Sequence, residues 1–123
     1  MSLAWVALGG AVGAVARYVA AGLVHRVVPP TFPWGTLVVN VSGSLVFGVL
    51  AGLMEQGFFS GSPARLFVLV GVIGGFTTFS TFTFETFMLI RDGELLRAGV
   101  NVAGQVAVAF LALWGGFTLT RLR

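Results

Sequence analysis

The chain has 123 residues, 57% of them hydrophobic and 9% charged, against about 25% charged in soluble domains, so a soluble fold of this length has nowhere to hide its apolar surface. Seven arginines, no lysine and four acidic residues give a net charge of +3, but the charges are scattered and form no nucleic-acid-binding patch. The absence of cysteine excludes disulfides and thiolate metal centres.

The charge-poor runs predict an all-α membrane protein, a single integral membrane domain over residues 1–123. Its spans fall near 3–26, 34–56, 64–90 and 95–120, each close to the ~20 residues that cross a bilayer as a helix. The first span contains Arg17 and a small-residue triplet, Ala14-Val15-Ala16. No basic region precedes the triplet and an arginine follows it, so it reads as a retained helix rather than a cleaved signal. His25 falls in the first predicted connection beside Arg26, as a solvated histidine without a role. Pro29, Pro30 and Pro33 delay the second helix to about Trp34. That span carries Asn40, which either glues helices together or offers its NH2 group to a passing anion.

The third span holds Gly74-Gly75, a predicted helix break, and then Phe76-Thr77-Thr78-Phe79-Ser80-Thr81-Phe82-Thr83-Phe84-Glu85. Backbone groups freed by a break inside a membrane must find partners. Carbonyls there suit a cation and N–H groups suit an anion. Five hydroxyls, at positions 77, 78, 80, 81 and 83, follow the glycines, more than back-bonding to the helix alone accounts for. Hydroxyls can donate to an anion that has lost water, and phenylalanine rings present a positive edge. Uncharged donors of this kind admit an ion without trapping it. In the fourth span Asn101 and Gln105 are four residues apart and share a face. They either bond other helices or line a polar path.

Gly9-x-x-x-Gly13, Gly48-x-x-x-Gly52 and Gly71-x-x-x-Gly75 place small residues where helices can approach closely. Trp5, Trp34 and Trp114 fall near span ends, as interfacial anchors do. With four spans, one side of the membrane carries Arg65, Arg121 and Arg123, and the other carries Arg26, Arg91 and Arg97. Positive charge therefore selects neither orientation. Either the weak bias still gives one topology, or the chain inserts both ways round and forms an antiparallel dimer.

The stretches Gly9-Gly10-Ala11-Val12-Gly13-Ala14-Val15-Ala16-Arg17-Tyr18, Gly35-Thr36-Leu37-Val38-Val39-Asn40-Val41-Ser42-Gly43 and Gly74-Gly75-Phe76-Thr77-Thr78-Phe79-Ser80-Thr81-Phe82, followed by Glu85, resemble the small fluoride channels of the Fluc family, also called CrcB. The resemblance covers nearly the whole chain. It implies four transmembrane helices per subunit with the third broken, and a dual-topology antiparallel homodimer in the bacterial inner membrane. It also implies a channel that passively exports fluoride from the cytoplasm and gives fluoride resistance. By the same resemblance Phe79 and Phe82 line the pore, with Asn40 beside them. Ser80, Thr81 and Glu85 belong to a polar track, and Arg17 stands near a vestibule. The backbone carbonyls of Gly74 and Thr77 hold a structural sodium ion, Na+, at the dimer centre. Asn101 and Gln105 depart from the Tyr and Ser frequent on the family's fourth span, and they are taken as pore residues.

A small dual-topology, proton-coupled exporter of toxic compounds also has four spans. It needs a titratable carboxylate in mid-membrane, and here Glu85 lies toward the end of the third span while the first carries Arg17. A structural subunit of a larger complex leaves the clustered hydroxyls unexplained. No nucleophile–base pair or metal-ligand cluster suggests an enzyme. The implied partners are fluoride, a second copy of the chain and membrane lipid, with no nucleic acid.

Overall fold

Three prolines within five residues stop the first helix and set the start of the second, and this pattern of punctuation organises the chain. The computed structural model describes residues 1–122. Arg123, one of the arginines in the charge balance, lies outside the described residues. Helix α1 is Ser2–Val27 and α2 is Trp34–Glu55. The segments Ser62–Arg65, Leu66–Ile73 and Gly74–Phe76 run together as α3, and α4 is Phe79–Arg91. Helix α5 spans Leu95–Leu119. No strand occurs among the described residues. Helices α3 and α4 together form the third apolar span, Pro63–Arg91, so four spans are long and apolar enough to cross a membrane.

Helix α1 continues to Val27, so His25 lies in its last turn rather than in the connection. Nothing before Pro29 opposes the helix. Glycine ends two of the others. At the end of α2 the Gly57 N–H donates to Met54 O at 3.0 Å and the Phe58 N–H to Leu53 O at 3.1 Å. At the end of α4 Gly93 N–H donates to Ile90 O at 3.1 Å and Glu94 N–H to Leu89 O at 2.8 Å. Both glycines have positive φ, +89° and +78°, the left-handed turn that pairs the last carbonyls of a helix.

The helices pack as two close pairs, α1 on α3 and α2 on α5. Glycine makes each approach possible. A Cβ on Gly71 would lie 2.7 Å from Gly9 Cα. A Cβ on Gly9 or Gly13 would run into the carbonyl oxygens of Phe67 and Val72. Gly48 likewise faces the Leu113 carbonyl, and Gly116 faces that of Leu45. The close approaches lie within one subunit, and backbone proximity is what holds apolar helices together where lipid is as greasy as leucine.

Where α3 crosses α1, residues Leu66–Ile73 are wound as π-helix, and α5 has a second such stretch at Gly104–Val108. Both flank the middle of the bundle, and π turns often mark functional positions. Burial is inverted relative to a soluble protein. The only described hydrophobic residues that are buried are Val39, Ile73, Phe82 and Ala98, whereas Thr36, Thr78, Asn101, Gln105 and Thr120 are buried polar groups. Large apolar side chains cover the outside, where lipid is the solvent. Thr78 and Gln105 lie at the gap between α3 and α4, whereas Thr120 sits against Gly52 and Gln56 at the end of α2.

Candidate functional site, an uncharged anion groove

Thr77 and Thr78 are both extended, with φ/ψ of −75°/153° and −147°/116°. Of the four backbone groups of these two extended residues, the Thr77 N–H stays in the helix ladder, donating to Ile73 O at 3.0 Å. Asn40 of α2 takes care of two. Its Oδ1 accepts from the Thr78 N–H at 2.8 Å, and its Nδ2 donates to the Thr78 carbonyl at 3.0 Å. One side-chain amide thus pairs with both backbone groups of a single residue, as a residue on a neighbouring strand would. The Thr78 N–H would otherwise close onto Gly74, and the Thr81 N–H onto Thr77. The first donates to Asn40, and the second donates to Thr78 Oγ1 at 3.2 Å. The carbonyl oxygens of Gly74 and Thr77 are therefore released from the helix ladder.

Thr78 is also the N-cap of α4. Its hydroxyl donates to Thr81 Oγ1 at 3.0 Å, and Ser80 Oγ stands 3.4 Å away. The five hydroxyls of this stretch divide accordingly. Thr77 and Thr83 bond back to the carbonyls of Ile73 and Phe79, at 3.0 and 2.9 Å, as membrane threonines commonly do. Thr78, Ser80 and Thr81 form a cluster at the break. Beside it the rings of Phe79 and Phe82 meet edge to face, with centroids 5.5 Å apart and planes at 61°. Phe82 is 8% exposed and Phe79 is 77% exposed within the subunit.

These groups border an open groove of ≈ 360 Å³ whose walls include Asn40, Ser44, Thr77, Phe79, Phe82 and Gln105. A larger cavity of ≈ 770 Å³ lies across Thr78, which borders both, and has Arg17, His25, Arg26, Thr36 and Thr81 in its walls. Arg17 makes no ion pair among the described residues. Glu85 borders a third space with His25 and Asp92, and its Oε1 accepts from the Thr36 hydroxyl at 2.9 Å. Gln105 Oε1 accepts from Asn40 Nδ2 at 2.9 Å. Asn101 has no exposed surface and stands behind Gln105, with Nδ2 donating to Thr86 Oγ1 at 2.9 Å.

Asn40, Thr77, Phe79, Phe82 and Gln105 thus meet at one groove, with Ser80 and Thr81 at the adjoining cap. Arg17 and Glu85 stand at other openings, and Asn101 is enclosed by protein. Both N–H bonds of Asn40 are already engaged, so its amide holds the break in this conformation. Two residues at the site escaped sequence reasoning, Thr36 and Thr86. Each is one threonine among many, and only the contact with Glu85 or Asn101 distinguishes it. Helical spacing gave a partial signal, since Thr36 and Asn40 are one turn apart, as are Phe82 and Thr86.

The family described as CrcB-like protein, Camphor Resistance (CrcB), matches residues 4–117. This chain belongs to the CrcB family. Curated members similar to it include a protein of Opitutus terrae, 49% identical over 91% of this chain and 86% of its own length. Another, from Methylocella silvestris, is 45% identical over 94% of this chain and 90% of its own. A third, from Magnetococcus marinus, is 45% identical over 99% of both chains. All three bear the name Fluoride-specific ion channel FluC, the name of a channel and not of an enzyme. The CrcB match covers all four apolar helices, and the chain is a multi-pass membrane protein.

Proposed function

We propose that this protein is a fluoride-specific channel of the bacterial inner membrane that passively exports fluoride from the cytoplasm and gives fluoride resistance. The observation that carries the reading is the groove at the helix break. Hydroxyl and amide groups converge there with the ring edges of Phe79 and Phe82, and no lysine or arginine stands among its walls. Its relatives' name supplies the ion.

Fluoride is small and strongly hydrated, so a path for it must replace much of its water. Ring edges carry partial positive charge, and hydroxyls donate hydrogen bonds. Neither holds the ion as a full charge would, so binding stays weak enough for release. Ser80 and Thr81 supply the hydroxyls next to the rings, and Glu85 with Thr36 marks the far end of the polar track. Arg17, in the wall of the larger cavity, raises the local anion concentration at a vestibule.

The working unit in this proposal is an antiparallel homodimer. Its support is the balance of arginines and the exposure of Phe79, which a second subunit would cover. The released carbonyls of Gly74 and Thr77 are hard, uncharged oxygen donors and suit an alkali cation such as sodium. Two inverted subunits would present four of them. Sodium held there would supply fixed positive charge between the two breaks and would not itself be transported. Efflux should therefore be the same with sodium gradients of either direction, and flux that follows the gradient overturns the structural role.

Fluoride-loaded liposomes containing the purified protein test the channel itself, with external fluoride read by an electrode. A passive channel moves net charge, so efflux should begin only when valinomycin lets potassium compensate it. Absence of efflux, or efflux that needs no ionophore, defeats the proposal. The second outcome would favour proton-coupled exchange.

A further inference from the structure

Three side-chain amides connect the two ends of the ring-bearing segment. The path starts at the Thr78 N–H, which donates to Asn40 Oδ1. Asn40 Nδ2 donates to Gln105 Oε1, and Gln105 Nε2 donates to Asn101 Oδ1 at 3.5 Å. Asn101 Nδ2 donates to Thr86 Oγ1, whose own hydroxyl donates to the Phe82 carbonyl at 2.8 Å. The two ends of this path are backbone groups, and neither can reverse. A peptide N–H can only donate and a carbonyl can only accept. Because the Thr86 proton is committed to Phe82, Thr86 must accept from Asn101. Asn101 must then turn its oxygen to Gln105, and Gln105 must turn its oxygen to Asn40.

The consequence lies at Gln105. It borders the groove with Phe79 and Phe82. Its Nε2 carries two hydrogens, and Asn101 is the one acceptor they reach among the described residues. Asn40 has no hydrogen to spare. We propose that Thr86 and Asn101, neither of which lines the groove, are positioning residues that fix the orientation of Gln105, so that its second Nε2 hydrogen is the amide donor for a desolvated anion beside the two rings. With the polarity reversed, Gln105 would present its carbonyl oxygen there and repel the ion. This inference rests on the channel reading.

The test combines flux and spectroscopy. Thr86→Val keeps shape but loses the oxygen that accepts from Asn101. It should lower fluoride efflux about tenfold or more, the scale of one lost hydrogen bond to a charged group. Thr86→Ser keeps the oxygen and should restore flux. Gln105→Met, similar in length but without donors, should be as impaired as Thr86→Val. The intact protein provides a readout that needs no variant. On titration with sodium fluoride in detergent micelles, one of the two Gln105 side-chain amide protons should move downfield in NMR, and its partner bonded to Asn101 should not. Fluoride that shifts neither proton, or shifts both alike, overturns the proposal. So does Thr86→Val protein that elutes as the native species and conducts normally. Wild-type protein that passes no fluoride would instead defeat the channel reading on which the proposal stands.

Discussion

Phe79 and Phe82 differ in how far they can be explained by packing. Phe82 is buried, so its replacement loses contacts as well as a ring. Phe79 is 77% exposed in the subunit and has little intrasubunit packing to lose, which makes it the cleaner probe. Isoleucine keeps bulk and apolarity but has no ring quadrupole. Swaps of similar volume usually cost under ~1.5 kcal/mol in stability. Phe79→Ile and Phe82→Ile should each reduce fluoride efflux at least about tenfold, the effect of ~1.4 kcal/mol lost from ion stabilisation. Phe84 is 61% exposed and does not border the groove, so Phe84→Ile should leave efflux nearly unchanged. Liposome efflux rates, read beside the elution position of each variant, decide the matter. Equal small effects at all three positions would mean that the rings only pack. Flux lost in step with the dimer would mean that stability explains it.

At the scale of elements, the contrast lies between glycines that meet backbone and glycines that meet nothing. A Cβ on Gly48 would collide with the Leu113 carbonyl, while Gly115 has no heavy atom within 4 Å of the corresponding position. Gly48→Ala should therefore separate α2 from α5 and destabilise the protein by about 1–3 kcal/mol. Gly115→Ala should be neutral or stabilising by up to ~1 kcal/mol through helix propensity. Thermal denaturation in detergent should rank wild type and Gly115→Ala above Gly48→Ala, and equal melting temperatures would contradict the close-packing account. These contacts were legible in the sequence because Gly-x-x-x-Gly marks one helical face whatever the partner is. That the third span is broken was legible, but not where: the sequence points to Gly74-Gly75, whereas both glycines are helical and the extended residues are Thr77 and Thr78. Gly75 instead lets α3 approach Gly10 of α1. Other features were not legible. The π turns at Leu66–Ile73 and Gly104–Val108 have no residue signature of their own, and the end of α1 depends on where Pro29 first interferes. The pairing of Asn40 with Thr78, and of Thr86 with Asn101, joins residues far apart in sequence. Only the fold brings each donor to its acceptor, so the sequence named Asn40, Asn101 and Gln105 as polar residues in a membrane without saying what each would bond.

For the whole molecule, the open question is which way it faces. Arg121 is paired with Glu55 and stacked on Phe117 with its guanidinium 4.6 Å from the ring centre. Arg97 lies 3.6 Å from Glu94, and Arg91 lies 3.4 Å from Asp92. All three ion pairs are exposed, and such pairs contribute little to stability. Their arginines still count in topology, because acidic residues weigh little in the positive-inside rule. Three arginines on each side then leave no bias, and insertion should populate both orientations. A tag on the C-terminus should be reached by an impermeant label in part of the population of intact cells, and protected in the rest. The balance should also be easy to tip. Adding two lysines to the connection at 56–61, on the same side as both termini, should drive that side into the cytoplasm. If the working unit is an inverted pair, such a biased protein should conduct poorly alone. Coexpression with a version carrying the extra lysines at 92–95, on the opposite side, should restore fluoride efflux. Tag labelling in one orientation only for the unmodified chain would sink dual topology. Full activity from a single biased version would sink the antiparallel dimer even if both orientations of the native chain are found, because parallel subunits would then suffice to build the groove.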